Sequence, residues 1–176
     1  MNKVVILFLL ILSFSILGCE QKRKFLAVGD NAPTFSLLDL DGNTILLGDL
    51  YFWPQKYSAS ALVRGAPLKG KEVILSFWAS WCPECRQQMP ILNGFAKEYR
   101  DIIEIIGVNT GEAKKTIMSF VKDKGIEYKI LLDAKGQVAK IYDVVGVPAN
   151  VLINKEGLIK NLNLDVRGME SYLRKE

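Results

Sequence analysis

Histidine is absent from the 176 residues, and cysteine appears only three times, at Cys19, Cys82 and Cys85. The first absence excludes Ser-His-Asp and Cys-His catalysis and most catalytic zinc sites, all of which need an imidazole. The second excludes a framework stapled by several disulfides. No basic run reaches five residues and no aromatic–basic interleaving accompanies the net charge of +4, so no nucleic-acid partner is expected. No apolar run reaches the ~20 residues with which a helix crosses a bilayer. Internal repeats and low-complexity tracts are missing too. What remains is an ordinary globular composition, 49% hydrophobic and 24% charged. A chain of this length forms one domain, since cores usually divide only beyond ~250 residues.

The first eighteen residues differ from everything after them. Lys3 is their only charge, and residues 4–17 are apolar except for Ser13 and Ser15. That run is short for a permanent span but fits the core of a secretory signal peptide. It ends in Ile16-Leu17-Gly18-Cys19, followed by Glu20-Gln21-Lys22-Arg23-Lys24. An aliphatic residue, a small residue and then Cys resembles the lipobox of bacterial lipoproteins, with Leu17 standing where Ala or Ser is commoner. The resemblance implies a signal peptide over 1–18, lipid on Cys19, and a short tether over 19–27. Several acyl chains on one Cys hold firmly, because each buried CH₂ contributes about 0.8 kcal/mol. An uncleaved short anchor and simple secretion after cleavage elsewhere are the alternatives. All three place the rest of the chain outside the cytoplasm.

From about residue 28 the pattern is that of an α/β domain. Residues 34–39 and 44–47 flank Asp41-Gly42-Asn43, which predicts a β-hairpin. Residues 72–79 (EVILSFWA) form a near-continuous apolar run, as expected of a central strand buried on both faces. A helix is expected over 83–99, a buried strand over 102–108, and an amphipathic helix over 112–124 ended by Gly125. A short edge or connecting strand over 127–132 follows, then a short helix over 135–142 and a strand over 149–153. Residues 158–162 pair back after a turn, and 167–174 close the domain as a helix. Strand and helix alternating in this way means an α/β fold. Residues 51–68 stand apart, with four aromatics, two prolines and no clean period. They read as an extended insertion, either a surface excursion packed by its own aromatics or a specificity element near the site.

Chemistry is carried by Trp81-Cys82-Pro83-Glu84-Cys85, where the strongest predicted strand gives way to a helix. A helix start offers unpaired N–H groups and a partial positive charge, and both favour a thiolate on Cys82. Pro83 suits the first helical turn, where its missing N–H removes nothing. A spacing of three puts Cys85 on the same face one turn on, within reach of a disulfide and less exposed than Cys82. Cys82 is thus the expected attacking sulfur and Cys85 the resolving one, with no cofactor beyond the redox-active disulfide. Glu84 is a carboxylate inside the motif, and its charge opposes thiolate formation. No metal site is expected, because no further His or Cys completes a ligand set.

The stretch Phe77-Trp78-Ala79-Ser80-Trp81-Cys82-Pro83-Glu84-Cys85 resembles the active-site region of thioredoxin-fold proteins. More narrowly, the chain resembles the membrane-anchored thiol–disulfide oxidoreductases of the ResA/TlpA type. Further matching pieces are Gly29 to Leu37 before the hairpin, Pro90 five residues after Cys85, and Gly146-Val147-Pro148 before the penultimate strand. The resemblance implies a thioredoxin-like fold, a central mixed sheet with helices on both faces and an added N-terminal β-hairpin. It implies a cis Pro148 against the cysteines, with the Val147 backbone and Trp81 binding an extended substrate segment. It further implies reduction of disulfides in partner proteins, cytochrome c maturation among the pathways, and a membrane electron donor of the CcdA/DsbD type. Two positions depart from the pattern: Ser76 stands where thioredoxin has a buried Asp, and Gln88 where many relatives have Glu. The competing functions are a thiol peroxidase, disfavoured by Ala79 where a hydroxyl residue is needed, and a non-catalytic binding lipoprotein on the same fold.

Overall fold

The computed structural model describes residues 25–47 and 71–173. The signal segment 1–18, Cys19 with the start of its tether, and the 51–68 insertion lie outside the described residues.

The described elements are β1 (Ser36–Asp39), β2 (Thr44–Leu46), β3 (Glu72–Trp78), α1 (Pro83–Glu98), β4 (Ile103–Thr110), α2 (Lys114–Lys124) and β5 (Lys129–Asp133). They continue with α3 (Gln137–Ile141), β6 (Ala149–Ile153), β7 (Ile159–Asn161), a 3₁₀ turn (Val166–Gly168) and α4 (Glu170–Leu173). The strands form one mixed sheet in the order β2-β1-β5-β4-β3-β6-β7. β3 is parallel to β4, with Glu72 opposite Ile103 and Trp78 opposite Asn109, and antiparallel to β6. All seven residues of β3 are buried, as its unbroken apolar run predicts for a strand covered on both faces.

Alternation along β3 divides the core. Val73, Leu75 and Phe77 join the hairpin residues Phe35 and Ile45 with Val138 and Tyr142 on one face. Ile74 and Trp78 face the other way, onto Met89 and Leu92 of α1, Ile117 of α2, and Val166, Met169 and Leu173 near the C-terminus. Cys82 and Cys85 belong to this second layer. Glu72, a buried carboxylate at the far end of β3, is not left unpaired: it accepts from Lys160 and from the Tyr172 hydroxyl. The thioredoxin-like α/β fold with its N-terminal hairpin is therefore as expected.

Several details differ from the expected elements. The 127–132 strand is not an edge: β5 lies inside the sheet, parallel to β4 and antiparallel to β1, because the hairpin docks outside it. β4 runs on to Thr110 rather than ending at 108, its last residues paired with β5. Helix α2 starts at Lys114, not Glu112, since Glu112 is engaged elsewhere and Ala113 caps with no side-chain bond. The C-terminal helix is split into a 3₁₀ turn and α4, with Asp165 capping the first piece by accepting from the Arg167 amide. Helix α1 continues through Pro90, although proline cannot donate to the carbonyl of Arg86. Gly125 closes α2 with φ 61°, the left-handed conformation that glycine adopts without cost.

Candidate active site

The site forms where β3 ends and α1 begins, at the carboxyl edge of the parallel pair β3 and β4. Cys82 is the N-cap of α1, in extended conformation, and its Sγ accepts from the Cys85 amide at 3.1 Å. A helix N-terminus leaves amide protons without intrahelical partners, and here one is aimed at sulfur. That arrangement stabilises negative charge on Cys82 whenever the thiol ionises. Pro83 occupies the first helical position and Glu84 the first turn, both exposed. Cys82 and Cys85 are joined as a disulfide, with their Cα atoms 5.3 Å apart.

Cys82 is scarcely more exposed than Cys85, where a clear difference is expected. The two retain 3% and 2% exposure. Cys82 Sγ is bonded to Cys85, accepts from its amide and lies 3.6 Å from the Val147 carbonyl oxygen, so its surroundings on several sides are occupied. The Val147–Pro148 peptide is cis, as the resemblance implies. Trp81 stands 67% exposed on one side of the cysteines, and Val145 is fully exposed on the loop that carries Val147. Trp78, by contrast, is buried in the core.

Behind Cys85 the polar groups are neutral. Gln88 lies one helical turn after Cys85, buried, and its Oε1 accepts from Asn150 Nδ2 at 3.0 Å. Ser76 is buried on β3 directly opposite Asn150 in the β3–β6 register. Asn150 also donates to the Leu164 carbonyl, and its own Oδ1 has no partner among the described residues. The two departures noticed in the sequence thus meet around one asparagine, which sequence reasoning missed. A buried Asn on a strand that runs up to the cis proline was the available signal.

A second group missed in the sequence is Glu112. Its carboxylate accepts from the Ser80 amide at 2.7 Å, the Ser80 hydroxyl at 2.5 Å and Asn109 Nδ2 at 2.8 Å. Burial alone raises the pKa of this carboxyl, but the bonds from Asn109 and Ser80 outweigh it and hold the group below the ordinary glutamate value. The sequence pattern had absorbed Glu112 into the helix that follows, where an acidic first-turn residue needs no other explanation. Among the described residues no group of three or more His, Cys, Asp and Glu could hold a metal, and no helix is long and apolar enough to cross a membrane.

Comparison with known proteins agrees with this geometry. Residues 28–162 match the AhpC/TSA family. A thiol-disulfide oxidoreductase ResA from Bacillus subtilis is 33% identical over 138 residues, covering 78% of this chain and 67% of its own. Another, from Bacillus cereus, is 29% identical over 165 residues, covering 90% and 83%. Among solved structures, a putative thiol:disulfide interchange protein DsbE from Chlorobium tepidum superposes with a TM-score of 0.69 at 28% identity, covering 85% of this chain and 97% of that one.

Proposed function

We propose a direction and a setting for this chain, which belongs to the AhpC/TSA family and is a thiol–disulfide oxidoreductase: it reduces disulfides of partner proteins outside the cytoplasm. The observation that carries the proposal is the Cys82–Cys85 pair at the start of α1, with the Val147 carbonyl 3.6 Å from Cys82 Sγ. In the dithiol form, Cys82 loses its proton and attacks one sulfur of the partner's disulfide. That S–S bond breaks, a mixed disulfide forms, and the departing partner sulfur leaves as a thiolate that takes up a proton. Cys85, deprotonated in turn, attacks Cys82 Sγ. The Cys82–Cys85 bond closes, and the second partner thiolate is released. Two electrons have passed from the dithiol to the partner.

Positions at the site support these roles. Cys82 caps the helix with its sulfur beside the Val147 carbonyl, the side from which an extended segment can approach; Cys85, one turn on, belongs to the core layer of Met89 and Leu92. Trp81 and Val145 supply exposed apolar surface for that segment. The peroxidase alternative is not favoured: Ala79 has no hydroxyl to offer, and both ResA relatives and the DsbE structure are named for thiol–disulfide chemistry.

The setting rests on the amino-terminal sequence. Lipid attachment at Cys19 tethers the domain to the outer side of a membrane, with residues 1–18 removed as signal peptide and 19–27 as the tether. A reductant in an oxidising compartment needs a supply of electrons, and a membrane dithiol donor of the CcdA/DsbD type meets that need. Cytochrome c maturation is the pathway proposed, on family resemblance.

Trapping tests the roles. C85A leaves the mixed disulfide unresolved, so partners are expected to accumulate on Cys82 and to be released by dithiothreitol. C82A should trap few. Equal trapping by the two variants, or trapping by C82A alone, contradicts the assignment. The anchor has its own test: mass spectrometry of the mature protein is expected to show a lipidated Cys19 as first residue, and a free terminus at any later residue rules that out.

A further inference from the structure

We propose that Glu112 is a positioning residue for the redox pair, clasping the turn through Ser80 and Trp81 that delivers Cys82 to the start of α1; the inference rests on the exchange chemistry assigned above. Strands β3 and β4 run parallel and end side by side, with Trp78 opposite Asn109. Beyond Trp78 the chain turns through Ala79, Ser80 and Trp81 to Cys82, whose amide returns to the Ala79 carbonyl at 3.2 Å. Beyond Thr110 it turns at Gly111, whose φ of 80° only glycine adopts readily. The two turns are neighbours because their strands are. Gly111 directs the chain so that Glu112 meets the other turn, where its carboxylate takes both the amide and the hydroxyl of Ser80.

Two further contacts show how firmly this is held. Asn109 is fully buried and gives its amide nitrogen to Glu112, although its Oδ1 then has no partner among the described residues. Rotating the amide would aim that oxygen at a carboxylate, so the charge on Glu112 fixes the orientation. From the opposite side, Arg86 Nη1 in the first turns of α1 donates to the Ser80 carbonyl at 3.2 Å. Ser80, two residues before Cys82, is thereby held at its amide, its hydroxyl and its carbonyl.

The consequence concerns the thiolate. Cys82 Sγ is stabilised only while it stays over the amide of Cys85, and the clasped turn keeps it there. No proton or electron passes through Glu112. Removing the clasp and removing the charge therefore have opposite effects. Ala at 112 removes both, but the loss of the helix amide once the turn is freed outweighs the loss of one charge, so the thiol pKa rises. Gln keeps an oxygen for the Ser80 amide and lacks the negative charge, which if anything lowers it.

The test is the pH profile of Cys82 alkylation by iodoacetamide, measured in the full chain in a C85A background. E112A is expected to move the midpoint up by about half a pH unit or more, and E112Q to leave it unchanged or lower it. S80A, a milder change that keeps the amide bond, should move it up by less, and it stands in should E112A not fold. A midpoint that stays put in E112A and S80A, or that moves the same way in E112A and E112Q, overturns the inference. Alkylation needs no partner protein, so a wild-type chain that fails to reduce insulin disulfides counts against the proposed function and not against this clasp.

Discussion

Individual residues show where charge is tolerated near the sulfurs and where it is not. Gln88, Asn150 and Ser76 keep the space behind Cys85 neutral, whereas the carboxylate of Glu112 is admitted beside Ser80 because three donors surround it. Asp39 is held similarly at the hairpin. Burial pushes its carboxyl up, but the Asn43 side chain and the amides of Asn43, Asp41 and Gly42 bring it below the ordinary aspartate value. A carboxyl whose folded pKa is depressed stabilises the fold above its unfolded value, and loses that contribution as pH falls through the folded one. The wild type is therefore expected to lose stability below about pH 4, the unfolded range of these groups. The double variant D39N/E112Q should be less stable near neutrality, and its denaturation midpoint should fall less steeply from pH 5 to pH 2. Parallel pH curves for the two proteins would show that neither carboxyl is coupled to folding. The motif Cys82 to Cys85, the cis Pro148 and the exposed Trp81 were legible in the sequence, because local spacing or motif resemblance announces each. Glu112 and Asn150 were not. Their roles arise from partners 32 and 62 residues away, and one sequence carries no mark of such a pairing.

Among the elements, those buried on both sides were read best. The unbroken apolar run of β3 announces a central strand, and Gly125 and Pro83 mark helix ends through their own backbone chemistry. β5 was misread as an edge or connector because its neighbours on the two sides come from β4 and from the N-terminal hairpin, about 90 residues earlier, and nothing local records the second. Within β4, Gly107 sits where the second core layer leaves no room for a side chain. A Cβ there would lie 2.6 Å from Ile130 Cδ1 and 3.0 Å from both Trp78 Nε1 and Tyr128 Cε2. Ile130 and Trp78 are themselves buried, so neither moves freely. G107A is expected to cost about 1–3 kcal/mol in chemical denaturation, the usual range for overpacking. A stability equal to wild type would mean that the layer beneath Trp78 is looser than these distances indicate.

For the whole molecule, the sheet and its two core layers fix the redox pair at the carboxyl edge of the sheet, between the helix start that favours the Cys82 thiolate and the loop bearing Val147. Whether such a pair gives or takes electrons depends on how strongly the thiolate is favoured over the disulfide. The Cys85 amide favours the thiolate and the Glu112 clasp keeps it in place, while the surroundings of Cys85 are neutral and the negative charges of Glu84 and Glu112 themselves oppose it. That balance is the one expected of a reductant. Equilibration of the full chain against glutathione, with the dithiol and disulfide forms counted after acid trapping, measures it directly. A reduction potential more negative than about −200 mV is expected, towards the thioredoxin value near −270 mV. A potential near −120 mV, the range of a dedicated disulfide donor, would contradict it.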